Sequence, residues 1–186
     1  MKKLLVIVSA AIVVLVGSAY TIQSVINWKI DNEKAMVKFT MQAHGKELIG
    51  NFKGATGEVK FDEKKPENSS ITCSVDVSSI NTGVEGRDKH LQAPEFFDAA
   101  ANPQVKFVST KIEKNKEEGY IVTGNLTAKA TTKEVSAPFT FEKSAGAGSF
   151  KGSFAIKRLD YNIGKEGTDP GNDVTISFDI PVTEIK

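Results

Sequence analysis

From Trp28 onward the chain alternates apolar and polar residues with a period of two, the signature of strands with one dry and one wet face. Val37, Phe39, Met41 and Ala43 share one parity, with Lys38, Thr40 and Gln42 opposite. The same reading predicts dry rows at Ile71/Cys73/Val75/Val77, Tyr120/Val122/Gly124/Leu126/Ala128, Val135/Ala137/Phe139/Phe141, Phe150/Gly152/Phe154/Ile156 and Val174/Ile176/Phe178/Ile180/Val182. Between Val105 and Ile112 the row changes from Val105/Phe107 to Val108/Ile112, which predicts a bulge or a two-sided strand. Gly45, Gly50, Gly54 and Gly57 surround Leu48, Ile49 and Phe52 and permit turns or bulges there. Glu63 to Ser70, Lys114 to Gly119, Ser144 to Ser149 and Gly164 to Asp173 read as loops.

About eight or more antiparallel strands, each with one apolar face, hide that face either in a sandwich or in a barrel closed on itself. Periodicity does not choose between the two. It is interrupted once, between Asp76 and Thr110, where helical signals appear. Thr82 and Glu85 have the form of a capping box, which predicts a short helix through Arg87, Asp88, Lys89, His90 and Leu91. Pro94 then opens a second short turn that carries the adjacent aromatics Phe96 and Phe97.

This interruption carries an ordered set of residues: Thr82, Arg87, Asp88, His90, Leu91, Phe96, Phe97, Asp98, Pro103 and Phe107. In that spacing it resembles the YceI-like family of polyisoprenoid-binding proteins. Trp28-x-Ile30-Asp31, Val37-x-Phe39, Gly50-x-Phe52, Val122-x-Gly124-x-Leu126-Thr127, Thr132-Lys133 and Arg158-x-Asp160-Tyr161-x-Ile163-Gly164 are similar to further segments of the family. The resemblance spans nearly all of Trp28 to Ile185. One departure stands out: Lys129-Ala130 replaces the His-Gly pair usual in the family. The resemblance implies an all-β fold, an antiparallel lipocalin-like barrel of about eight strands with a short helical insertion near residues 82–98 at one end.

Composition narrows the setting. Lys2 and Lys3, an apolar run from Leu4 to Val16 and then Gly17-Ser18-Ala19 read as a signal peptide over residues 1–19, with an uncleaved anchor as the other option. Residues 20–186 then form a single barrel domain that is periplasmic or secreted. Without Lys2 and Lys3 the basic count falls from 24 to 22, against 23 acidic residues, so nothing follows a phosphate backbone and nucleic acid is not expected as a partner. Cys73 is the only cysteine; it forms no internal disulfide and reads as a small buried hydrophobe.

Catalytic signatures are missing from the residues. There is no Gly-x-Ser-x-Gly elbow and no Walker A loop, and His44 and His90 are the only histidines, without metal-ligand spacing around them. The expectation is a protein that is not an enzyme and has no cofactor or metal. Eleven phenylalanines interleaved with Gly and Ala fit either a packed core or an elongated apolar slot. The resemblance implies the slot, holding a polyisoprenoid, quinone-like or fatty amphiphile, with transport or sequestration as the role.

The expected walls are Phe39, Phe52, Phe61, Val75, Val77, Phe107, Leu126, Phe139, Phe141, Phe154 and Phe178. Arg87 and Arg158 are the only arginines, and a guanidinium fork suits either a buried ion pair or an anionic head group. Arg87, His90 and Arg158 are therefore expected to hold a polar head group or to pin the insertion to the barrel. The partner is a small amphiphilic lipid, with transient membrane contact and homodimer formation left open. A filled barrel acting as an envelope interaction module is the alternative.

Overall fold

The computed structural model describes residues 25–167 and 169–185; the expected leader lies outside them. The described residues form ten strands: β1 (Ile26–Ile30), β2 (Met36–Ala43), β3 (Lys46–Lys53), β4 (Thr56–Phe61), β5 (Ser70–Asp76), β6 (Gln104–Lys114), β7 (Tyr120–Ala128), β8 (Thr131–Ser144), β9 (Ala147–Lys157) and β10 (Asp173–Glu184). One α-helix, α1 (Glu85–Leu91), lies between β5 and β6. Every pairing is antiparallel, and the order β1-β4-β5-β6-β7-β8-β9-β10 returns to β1, closing an eight-membered ring. A sandwich would need two sheets; here a single sheet meets itself, which is the lipocalin-like barrel.

The long β10 completes the closure in two steps. Its first half, Val174 to Asp179, pairs with β2, and Val182 to Glu184 pair with Trp28 to Ile30 of β1. The β2–β3 hairpin is thus an extra pair of strands on the same edge of β10, upstream of β1. The hairpin turns on His44 (φ 52°) and Gly45 (φ 70°), the two positive-φ residues a tight primed turn requires.

The period-two rows point inward as the sequence predicts: Phe39, Phe52, Val59, Phe61, Val122, Ala137, Phe139, Phe150, Val174 and Ile180 are buried in one core. The irregularity in β6 is a bulge. Ser109 pairs with Gly124 and Lys111 with Thr123, so Thr110 is the extra residue. It reverses parity, which buries Ile112 and leaves Val108 on the exposed face.

The insertion differs from expectation in its details. No capping box forms: Val84 is the N-cap and has no side-chain cap, while Glu85 pairs with Lys89 at 2.8 Å on the surface. The Thr82 hydroxyl instead bonds Asp88 Oδ1 at 2.5 Å, and the Thr82 N–H donates to the same oxygen at 2.8 Å. Asp88 thereby ties the helix back onto the chain that enters it. The stretch after Pro94 is a run of turns, as expected, closed by Phe97 N–H donating to Leu91 O at 3.0 Å.

Candidate functional site

Strand direction gives the barrel two unlike ends. The first holds the start of β1, β5, β7 and β9 and the finish of β4, β6, β8 and β10. Here Phe61, 1% exposed, meets four other rings: Tyr120 at 4.9 Å, Phe141 and Phe150 at 5.2 Å each and Phe139 at 5.9 Å. Phe141 stacks on Phe150 at 4.4 Å, and Trp28 meets Phe141 edge-on at 5.2 Å. Ring pairs of this geometry add to area burial. The result is an aromatic floor that fills the lumen from wall to wall.

Above the floor the lumen opens into a cavity of 220 Å³ whose lining is almost wholly apolar. That is more than the roughly 150 Å³ of an apolar cavity that stays dry and takes up benzene. Phe139 and Phe150 form its base, and its walls come from the inward rows of the strands. Of the expected wall residues, Phe39, Phe52, Val75, Phe107, Leu126, Phe139, Phe154 and Phe178 border it. Phe61 and Phe141 do not; they are consumed by the floor. Val77 does not either: β5 ends at Asp76, and Val77 is buried in the 3₁₀ turn Val77–Ser79 with its N–H on Pro103 O at 2.8 Å.

Two segments roof the other end. The insertion contributes Leu91, Phe96 and Phe97 to the lining, and the loop between β9 and β10 contributes Ile163 and Pro170. Gly164 N–H donates to Glu95 O at 2.8 Å and joins the two segments. Phe97 meets Phe52 edge-on at 5.8 Å, which docks the insertion on β3. Asn51 and Asn81 exchange backbone hydrogen bonds of 2.9 Å beside it.

The three residues expected to receive a head group are engaged in this roof. Arg158, 4% exposed, borders the cavity with its stem. Its guanidinium donates to backbone carbonyls: Nε to Gly171 at 2.9 Å, Nη1 to Ile163 at 2.8 Å and Nη2 to Pro170 at 2.6 Å and Lys165 at 3.2 Å. Burial lowers its pKa from the ordinary arginine value, yet it remains the cation around which the loop is wrapped. Arg87 donates to Thr82 Oγ1 at 2.8 Å and Thr82 O at 2.9 Å, not to Asp88 as a salt-bridge partner. His90 Nε2 lies 2.9 Å from Glu95 Oε1, and its ring abuts Phe96. Backbone hydrogen bonding, and then the hydrogen bond to His90, hold the Glu95 carboxyl below its ordinary range. Of the three, only Arg158 touches the cavity.

Cys73 sits in the cavity wall, where burial pushes its thiol up to about 11. Among the described residues no group of three or more His, Cys, Asp or Glu gathers as metal ligands would. The sequence reading passed over Ile156 and Ile176 as wall residues, although their parity marks them, and over Leu91, Phe96 and Phe97, which no strand period could place.

A family model described as YceI-like domain matches residues 28–182. The chain belongs to the YceI-like family. A UPF0312 protein of Serratia proteamaculans (strain 568) is 32% identical over 188 residues, covering 96% of this chain and 95% of that protein. Among solved structures, Burkholderia cenocepacia BcnA is similar with a TM-score of 0.78 and 29% identity, covering 83% of this chain and 99% of that one. A polyisoprenoid binding domain from Saccharophagus degradans, implicated in plant cell wall breakdown, aligns with a TM-score of 0.70 over 86% of this chain and 99% of its own. At 13% identity that likeness concerns the fold. The barrel fold is thus shared with both solved structures.

Proposed function

We propose that this YceI-like protein binds the apolar tail of a small amphiphile, a polyisoprenoid, quinone-like or fatty lipid, and sequesters or carries it without chemical change. The observation that carries the reading is the closed-floored, apolar lumen of 220 Å³. A filled barrel would serve an interaction module; here only the floor is filled. Each methylene moved from water into such a lumen stabilises the complex by about 0.8 kcal/mol, before ordering costs. With Arg87 and Arg158 already engaged, the head group stays at the roof and the tail supplies the affinity. The polyisoprenoid-binding description of the Saccharophagus degradans domain points to the same ligand class. The basic and apolar N-terminal stretch, Lys2 to Ala19, fits export, so we place the protein in the periplasm or outside the cell, loading its lipid by transient contact with a membrane.

Mass spectrometry of an organic extract from protein purified without detergent tests this. A stoichiometric co-purifying amphiphile, or uptake of added polyprenols by the stripped protein, is the expected result. No extractable lipid together with no uptake would leave the interaction module as the better account.

A further inference from the structure

Eight glycines of this barrel fall into two groups. Gly45, Gly54, Gly119 and Gly146 lie in turns at positive φ, where the backbone itself calls for glycine. Gly50, Gly124, Gly148 and Gly152 do not: they sit inside strands without positive φ. Each instead has a phenylalanine ring where a β-carbon would stand. Phe39 covers Gly50, Phe107 covers Gly124, Phe141 covers Gly148 and Phe178 covers Gly152. Register explains the pairs. Phe39 is directly opposite Gly50 and Phe178 directly opposite Gly152, while Gly124 and Gly148 stand two residues from the partners of Phe107 and Phe141.

An inward phenylalanine on a narrow barrel ordinarily projects across the lumen. Folded back onto a glycine it lies along the wall. Phe39, Phe107 and Phe178 all border the cavity, whereas Phe141 belongs to the floor. Gly124 and Gly152 also face the carbonyl oxygens of Val108 and Pro138, so replacing them moves backbone. At Gly50 the three nearest atoms all belong to the Phe39 ring. The closest atoms a methyl group there meets are the far end of that ring, which it forces off the wall, toward the open lumen.

We propose that Gly50, by letting the Phe39 ring lie flat, sets the length of hydrocarbon tail the cavity accepts. This rests on the tail-binding reading above. Gly148 supplies the comparison in the floor, since its Cβ would meet the Phe141 ring first and then, at 3.1 Å, the backbone oxygen of Glu142.

The test is binding of geraniol, farnesol and geranylgeraniol to the wild-type chain, Gly50→Ala, Gly148→Ala, Phe39→Leu and the double variant Gly50→Ala/Phe39→Leu. Gly50→Ala should bind geranylgeraniol about tenfold more weakly, the loss of roughly two buried methylenes, with geraniol little changed. Gly148→Ala should match the wild type, the double variant should recover, and Phe39→Leu alone should favour longer tails. An unchanged length preference in both Gly50→Ala and Phe39→Leu, or an equal shift from Gly148→Ala, overturns the proposal. If the wild type binds none of the three alcohols, the tail-binding reading fails. Xenon occupancy in crystals then decides the role of Gly50 separately: reduced occupancy in Gly50→Ala supports it, and equal occupancy overturns it. Should Gly50→Ala not fold, Phe39→Leu decides by the same two readouts.

Discussion

The two halves of this barrel are built from the same residue and come out differently. In the floor, Phe61, Phe139, Phe141 and Phe150 meet one another and Tyr120 at centroid distances of 4.4 to 5.9 Å. In the upper half Phe39 and Phe52 touch at 5.8 Å, while among the described residues Phe107, Phe154 and Phe178 make no ring–ring pair. The lesson is that inward phenylalanine does not by itself decide between core and cavity. The rings clustered around Phe61 close the lumen, whereas Phe39, Phe107 and Phe178, each seated on a glycine of a neighbouring strand, border the part that stays open.

The largest effect that could break this comparison comes from truncating one ring in each half. Phe61→Ala should destabilise the fold by about 3–5 kcal/mol, as large-to-small changes in packed cores do. Phe178→Ala, half-buried with one face on the lumen, should cost only about 1–2 kcal/mol. Urea unfolding measures both. Equal costs would mean that the upper half is packed as tightly as the floor.

The roof comes next. Arg158→Met strands the carbonyls of Ile163, Lys165, Pro170 and Gly171, and at about 1–3 kcal/mol for each buried unpaired group it should cost 3 kcal/mol or more. Arg87→Met, with bonds to Thr82 alone, should cost about 1 kcal/mol. If Arg158→Met leaves stability intact but abolishes binding of a charged lipid, the guanidinium reads a head group after all.

Cys73 reports on the upper half directly. With its thiol pushed up to about 11, maleimide labelling at neutral pH should run on the order of a hundredfold slower than for an ordinary exposed thiol. The rate should climb with pH until that value is reached, because only the thiolate reacts. Farnesol in the lumen should slow it further; labelling indifferent to farnesol would place the ligand elsewhere.

The smallest effect sharpens the rim. The turn between β7 and β8 holds Lys129 at φ 44° and Ala130 at φ 59°, left-handed positions that cost a β-carbon-bearing residue about 1–2 kcal/mol. The departure from the family's His-Gly pair thus lies in a hairpin turn, where Lys129 Nζ donates to Asn162 O at 2.8 Å. Ala130→Gly should raise stability by about 1 kcal/mol in thermal unfolding and leave tail binding untouched.

Much of this architecture was legible in the residues, and the reasons for the gaps are physical. Parity placed the inward rows and the β6 irregularity, because a strand offers a side chain only two directions. Parity is silent about height along the barrel axis, which is why Phe61 and Phe141 were expected beside Phe39 although they lie in the floor. The phenylalanine–glycine pairs depend on register across strands, so Gly50 read as a turn residue. Phe96 and Phe97 had to be buried somewhere, but only the fold of the insertion shows that they roof the lumen. Around Arg158 a loop of carbonyls surrounds the guanidinium, and no pattern of acidic residues announces that. The capping-box spacing assigned the Thr82 backbone N–H to the Glu85 carboxylate; Asp88 accepts it instead, together with the Thr82 hydroxyl.

The most direct measurement is a crystal structure of the protein grown with geranylgeraniol. The account requires the chain to run from the roof past Phe39, Phe107 and Phe178 and to stop on Phe139 and Phe150, with the hydroxyl outermost. Electron density for the alcohol only on the outer surface, around a lumen filled by the protein's own side chains, would contradict it.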